Sequence, residues 1–217
     1  MALISIEHSK VAYAADVALY TAAVVVGSIA LLTLGPASQW SLLSACIAAG
    51  LIGWTVLEYA LHRFVLHGLA PFSRWHLEHH RRPTALICAP TLLSASLIGG
   101  LVYLPALLAS DGWRALAFTL GVLIGYLTYT VTHHATHHWR AHGPWLKERK
   151  RWHALHHRSG RPTACYGVTT DVWDRVFGSQ PLTPARNTFG IAQTITDAAL
   201  KTSASPPLLC AAHQGNP

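Results

Sequence analysis

The chain has 217 residues and a formal charge of +7; 51% of its residues are hydrophobic and only 12% are charged. Soluble domains carry roughly twice that share of charge, so an ordinary water-soluble enzyme is excluded and a membrane protein is indicated. The basic residues are scattered along the chain rather than gathered into a reading helix or stripe, which argues against nucleic acid and for anionic lipid headgroups as the counter-charge.

In chain order, no charged residue occurs between Val17 and Leu57, and the sequence Gly35-Pro36-Ala37-Ser38-Gln39 divides this run into two apolar stretches, Val17–Leu34 and Trp40–Leu57. Each is long enough to cross the hydrocarbon core. Glu7 and Asp16 precede the first stretch and no basic segment opens the chain, so that stretch reads as a retained anchor rather than a cleaved signal. A second charge-free run covers Pro83 to Ser110. Pro90 and Pro105 lie within it, and proline removes a backbone donor, so a kink or partly re-entrant path is expected there. After Asp111-Gly112-Trp113-Arg114 comes a fourth apolar stretch, Ala115 to Thr132. The expectation is an all-α membrane protein with four transmembrane helices as two hairpins and a cytoplasmic helical cap. Residues 1–180 form one catalytic domain on this reading. Residues 181–217 read as a C-terminal surface helix followed by a mobile tail.

Twelve histidines fall in four groups between these runs: His62 and His67; His76, His79 and His80; His133, His134, His137 and His138; His153, His156 and His157. Side chains three and four apart on a helix share a face, so His-x-x-His-His presents three imidazoles together, and this spacing occurs twice. Neutral imidazole is the commonest ligand for transition metals. At four or five nitrogens per ion, about ten histidines imply two metals, the arrangement used for chemistry rather than for folding. His8, His142 and His213 lie off the pattern and read as ordinary surface residues.

Topology offers an independent check. Four crossings put residues 1–16, 58–85 and 133–217 on one side, together with all twelve grouped histidines and every Lys and Arg except Arg114. By the positive-inside tendency that side, and with it both termini, is cytoplasmic. The Lys147-Glu148-Arg149-Lys150-Arg151 cluster then lies near the lipid surface or is a solvated charge run that fixes topology. Cys46, Cys88, Cys165 and Cys210 are far apart with no Cys-x-x-Cys pair, which gives no sign of an iron–sulfur centre.

Two carboxylates stand where they could orient ligands, because ligating imidazoles usually donate their other N–H to a carboxylate or carbonyl. Glu58 is one helical turn before His62, where it either serves the histidines or marks the membrane edge; Asp174 either assists them or braces the C-terminal segment. Tyr126, Tyr129, His133 and His137 follow one helical face, so the tyrosines either line a path to the metals or pack as interfacial aromatics. His134 and His138 read as hydrogen-bonding neighbours of the ligands, or as a replacement for one.

The string Glu58-Tyr59-Ala60-Leu61-His62-Arg63-Phe64-Val65-Leu66-His67, then His76-x-x-His79-His80, Gly125-Tyr126-x-x-Tyr129-x-x-x-His133-x-x-x-His137-His138 and His153-x-x-His156-His157, resembles the sterol desaturase and fatty acid hydroxylase superfamily. Gly167-Val168-Thr169 and Trp173-Asp174-x-Val176-Phe177-Gly178 extend the match over about residues 50 to 180. The resemblance implies a di-iron enzyme that uses O2 and two electrons to break an unactivated C–H bond of a lipid. It is nearest to the fatty acid 2-hydroxylases, which assigns ligand roles to His62, His67, His76, His79, His80, His133, His137, His153, His156 and His157; Tyr126 and Tyr129, on the helical face they share with His133 and His137, are the candidate catalytic residues. The sequence departs from that pattern at Thr130 and His134, where those hydroxylases have an aspartate and a tyrosine. No cytochrome b5 domain accompanies the match, so electrons are expected from an external donor of ferredoxin or cytochrome b5 type. Zinc does not change its redox state and cannot serve an oxygenase, although it can occupy imidazole sites as a substitute. A carotenoid ring hydroxylase and a sterol or lipid desaturase are the alternatives within this chemistry. Outside it stands a zinc-handling membrane protein, which would be expected to carry its ligands near the bilayer midplane.

Overall fold

The computed structural model describes residues 7–158 and 164–180. The expected surface helix and tail beyond residue 181 lie outside the described residues, as do Cys210 and His213. The described part is helical, and four of its helices are long and apolar enough to cross a membrane.

α1 (Lys10–Leu34) begins seven residues before the apolar run, because the Ser9 side chain caps it by accepting from the Ala12 N–H at 3.1 Å. Asp16, expected just outside the first span, is therefore inside its helix. The chain leaves at Gly35-Pro36, where the Gly35 N–H still bonds to the Leu31 carbonyl. α2 (Trp40–Ala60) does not stop at the end of its apolar stretch; it runs on into a π-helical turn, Leu61–Leu66. α3 (Phe72–Arg81) follows.

The third span starts directly after Pro90 as α4 (Thr91–Ile98) and finishes as α5 (Leu104–Ala109). Pro105 cannot donate within the helix, and the backbone adjusts in a π turn at Gly99–Tyr103, where the Leu104 N–H reaches back to the Gly99 carbonyl. The expected disturbance is thus a wide turn in a continuous helix rather than a re-entrant path. α6 (Gly112–His138) opens on Asp111, whose Oδ1 accepts from the N–H groups of Trp113 and Arg114 at 2.9 and 3.0 Å. It continues six residues past the apolar stretch, carrying all four histidines of the third group on one rigid helix. α7 (Pro144–His156) and the short α8 (Val172–Val176) complete the cap.

α6 is the central span. α1 and α2 each pack mainly on it rather than on one another. The α2–α6 crossing is close because glycines meet backbone: a methyl on Gly50 would strike the Phe118 carbonyl, one on Gly121 the Ile47 carbonyl, and one on Gly125 the Trp54 ring. Gly121 and Gly125 form the small-xxx-small pattern that lets membrane helices approach when no hydrophobic effect drives them together. Leu31, Leu43, Ala117 and Leu120 fill the interior beside the crossing, while Val25, Val26, Ile29 and Leu32 of α1 and Leu101 and Leu108 of the third span face outward.

Candidate metal centre

The ten candidate ligands gather into two groups of five: His62, His67, His76, His80 and His156, and His79, His133, His137, His153 and His157. Within each group the ligand nitrogens lie within 4.8 Å of one another. Each His-x-x-His-His box divides between the two. On α3, His76 and His80 share the first group and His79 turns to the second; on α7, His153 and His157 share the second and His156 turns to the first. The i, i+4 pairs stay together and the middle residue crosses over, which is what the 3.6-residue period requires. Across the two groups the His80 and His157 rings stack at 4.2 Å.

The π turn explains His62 and His67. Five residues of α-helix separate two side chains by about 140°, whereas the i, i+5 repeat of a π turn stacks them on one face. Both imidazoles consequently reach the same group, their rings 5.3 Å apart.

The nitrogen spacings fit shared cations. In the first group Nε2 contacts run His62 to His76 at 3.0 Å, His76 to His80 at 3.1 Å, His80 to His156 at 3.0 Å and His156 to His67 at 3.1 Å. An imidazole nitrogen carries one proton or one lone pair, so a chain of four contacts through five such atoms can hold at most two ordinary hydrogen bonds. Convergence on one ion satisfies all five. Ligands about 2.1 Å from a metal and at right angles stand about 3.0 Å apart, and at the tetrahedral angle about 3.4 Å. The second group shows the shorter spacing too, with His133 to His79 at 3.1 Å, His137 to His153 at 2.8 Å and His153 to His157 at 3.0 Å. Both donor sets therefore suit an ion of five or six ligands better than a closed tetrahedral zinc site.

Burial favours the neutral form that a metal needs. Desolvation first, and neighbouring imidazoles second, push His67 down to about 4, His79 to about 3, and His156 and His157 to about 2. His76 and His153 are held far below the ordinary histidine value for the same reasons.

Two ligands are oriented by backbone. His62 Nδ1 donates to the Tyr166 carbonyl at 2.5 Å and His156 Nδ1 to the Ala164 carbonyl at 2.9 Å, which turns both Nε2 lone pairs inward. Neither Glu58 nor Asp174 hydrogen-bonds an imidazole among the described residues; each instead holds the segment that supplies those carbonyls. Glu58 Oε1 accepts from the Val168 and Thr169 N–H groups at 2.8 and 2.9 Å, and Oε2 from the Thr169 hydroxyl at 2.6 Å. Asp174, fully buried, accepts from the N–H groups of Tyr166 and Gly167, the Ser179 hydroxyl and the Trp152 indole. Gly167 is required because a methyl there would meet the Thr170 carbonyl. Cys165, between the two acceptor carbonyls, has a left-handed φ of 61°, a costly conformation for a residue with a side chain. These carbonyl partners escaped sequence reasoning because any residue type can supply a carbonyl; the Gly167-Val168-Thr169 motif was the only trace.

Other candidates fall outside the two groups. His134 stacks on His138 at 4.4 Å and lies 5.3 Å from the Tyr13 ring, and neither belongs to a nitrogen cluster. Tyr129 lies parallel to His133, rings 5.7 Å apart, and Tyr126 packs edge-on against Tyr20 and Trp54. His142 is exposed, but His8 is half-buried with Nδ1 3.2 Å from Cys88 Sγ. Arg149, read as part of a surface charge run, is buried and turned to Asp171 at 3.6 Å.

A cavity of about 410 Å³ opens onto the histidines. His62, His76, His79, His133 and His137 form one end, Trp54, Tyr126 and Tyr129 its wall, and Leu93, Leu97, Ile98, Leu101 and Val102 of the third span its apolar extension.

The sequence model for "Fatty acid hydroxylase" matches residues 47–179. A dihydroceramide fatty acyl 2-hydroxylase of Arabidopsis thaliana is 37% identical over 146 residues, 62% of this chain and 60% of that protein. A ceramide very long chain fatty acid hydroxylase of Schizosaccharomyces pombe is 31% identical over 60% of this chain and 41% of its own length. The fatty acid 2-hydroxylase of Homo sapiens is 29% identical over 61% of this chain and 38% of its own. The alignments thus span about three fifths or less of these relatives. Among solved structures, full-length scs7p, with only its hydroxylase domain visible, superposes with a TM-score of 0.67 at 26% identity, covering 80% of this chain and 68% of that one.

Proposed function

This chain belongs to the fatty acid hydroxylase family, and on that premise we propose that it is an O2-dependent di-iron hydroxylase of a fatty acyl lipid, acting at the cytoplasmic face of a membrane. The observation that carries the reading is two five-histidine groups at the end of an apolar cavity that continues along a membrane-spanning helix.

His62, His67, His76, His80 and His156 hold one ion and His79, His133, His137, His153 and His157 the other. Iron in these sites supplies the redox capacity to oxidise an unactivated C–H bond: with O2, two electrons and two protons, R–H becomes R–OH and water. The electrons come from an external donor of ferredoxin or cytochrome b5 type. The protein's share is binding, orientation and exclusion. Leu93, Leu97, Ile98 and Leu101 take the acyl chain, which passes from the bilayer hydrocarbon into an apolar wall, so that packing and shape rather than removal from water hold it. Tyr129, parallel to His133, and Tyr126 behind it narrow the wall so that a straight chain passes close to the ligands. Depressed imidazole pKa values keep the ligand nitrogens unprotonated near pH 7. Residues 1–180 constitute the catalytic unit, with both termini on the histidine side.

Lipids extracted from cells making the wild-type protein, compared with cells making His156→Ala, test the reading. A histidine-dependent gain of 16 mass units on an acyl lipid supports hydroxylation. A loss of two units instead points to desaturation, and identical lipid profiles contradict both.

A further inference from the structure

α1 gives the cavity a polar face that the histidine boxes do not account for. Tyr13, Asp16 and Tyr20 recur at i, i+3 and i+7, so they share one side of the helix. That side runs antiparallel to α6: the Tyr13 ring is 5.3 Å from His134, and the Tyr20 ring 4.7 Å from Tyr126. Between these two pairs the register brings Asp16 level with Thr130, and both residues line the cavity. The Thr130 hydroxyl is committed to the Tyr126 carbonyl at 3.0 Å. Asp16 is 5% exposed, and its Oδ1 is buried with no hydrogen-bond partner among the described residues. Buried acceptors are nearly always satisfied, and one that is not marks a place where something else supplies the donor.

Asp16 also stands close to the chemistry along the helix axis. Thr130 and His133 are separated by three residues, about 4.5 Å of rise. A polar group held at Asp16 therefore leaves the carbons next to it nearest the second histidine group, while the apolar extension toward Leu101 receives the remainder of the chain.

We propose that Asp16 is a specificity-determining residue that accepts a hydrogen bond from an N–H or O–H group at the polar end of the acyl lipid. It thereby favours amide or hydroxyl-bearing lipids over free fatty acids, whose carboxylate would place a second acid against the first. This rests on the lipid hydroxylase reading above.

The test pairs a deletion on the protein with one on the ligand. Equilibrium binding and, with O2 and a reduced ferredoxin or cytochrome b5 donor system added, product formation are measured with holoenzyme in lipid nanodiscs, using an N-acyl amide lipid with free N–H and O–H groups and the same lipid N- and O-methylated. Wild type should prefer the donor-bearing lipid about tenfold, the order one hydrogen bond supplies. In Asp16→Leu the preference should fall to within about twofold, and free fatty acid should bind several-fold better. Asp16→Asn, which keeps the shape and one acceptor, should retain part of the preference and covers the case in which the leucine variant does not fold. Melting temperature and iron content report folding in each. A preference that persists undiminished in a folded Asp16 variant overturns the assignment, because it would come from steric fit of the methyl groups. Product with that outcome leaves the hydroxylase reading intact, whereas Asp16-dependent binding without any product supports the assignment and sinks the hydroxylase reading.

Discussion

At the scale of single residues, the two histidine groups differ in how they are supported. His62 and His156 are fixed by carbonyls, whereas the buried Nδ1 atoms of His79, His153 and His157 have no hydrogen-bond partner among the described residues. Partners of this kind are worth about 10- to 100-fold in metal affinity. A chelator titration should accordingly strip the second group first, leaving about one iron that is released later and is lost early when His62 or His156 is mutated; simultaneous release contradicts the asymmetry. Asp174→Asn places an NH2 group against two of the four donors that Asp174 satisfies. That should cost about 1–3 kcal/mol or more, read as a lower melting temperature together with reduced iron content. The pH response has a definite sign. The unfolded chain takes up protons on these histidines below about pH 6.5, while the folded chain resists until about 4 at His67, 3 at His79 and 2 at His156 and His157. The unfolded state thus binds more protons over that interval, and stability falls as pH drops from about 6.5 toward 4. Melting of metal-free protein at pH 7.5 and 5.5 measures it, with a lower melting temperature expected at 5.5. Spacing gathered twelve histidines into four groups, and the resemblance selected the ten that the structure brings together. Their carbonyl partners were not legible; Glu58, read as serving the histidines or marking the membrane edge, and Asp174, read as assisting them or bracing the C-terminal segment, both hold the loop that carries Tyr166 and Ala164.

At the scale of elements, hydropathy located all four spans, but their ends were set by features that hydropathy does not weigh. Ser9 draws α1 back over Asp16, and α6 continues through its histidines. The π turn at Leu61–Leu66 was not legible, because the Leu-His-Arg-Phe-Val-Leu string has no local signature distinguishing it from α-helix; only the five-residue gap between His62 and His67 hinted at it. The division of each His-x-x-His-His box between two groups required the third dimension as well. Thr130 and His134 depart from the resemblance on α6, and α1 sets Asp16 and Tyr13 against the same stretch of cavity. The α2–α6 crossing provides an element-scale test. Gly121→Ala drives a methyl into the Ile47 carbonyl, so overpacking should cost about 1–3 kcal/mol and spread the helices that carry His62 and His133. Gly53→Ala on α2, where nothing lies within 4 Å, should be neutral or slightly stabilising. Melting temperatures of the two variants decide it; equal effects contradict the close-crossing account.

At the scale of the whole molecule, the spans bring residues distant in sequence to one end of the bundle: α2 and its π turn deliver His62 and His67, α6 delivers His133 and His137, and α3 and α7 lie across them. On the proposed topology, an epitope at the N-terminus and one beside Lys147 should both be reached from the cytoplasmic side, and one in the Asp111–Arg114 loop from the opposite side. Epitopes at the first two positions on different sides contradict it. The substrate was the least legible property, since the cavity wall is assembled from α1, α2, the third span and α6 and no contiguous motif encodes it. The central claim, two metal sites of five histidines each, is tested most directly by counting iron per chain in wild type, in His62→Ala/His156→Ala and in His137→Ala/His153→Ala, all folded by melting and made in iron-supplemented cells. The account predicts about two irons in the first and about one in each of the others. One iron or none in wild type, or a count unchanged by either pair of substitutions, would contradict it.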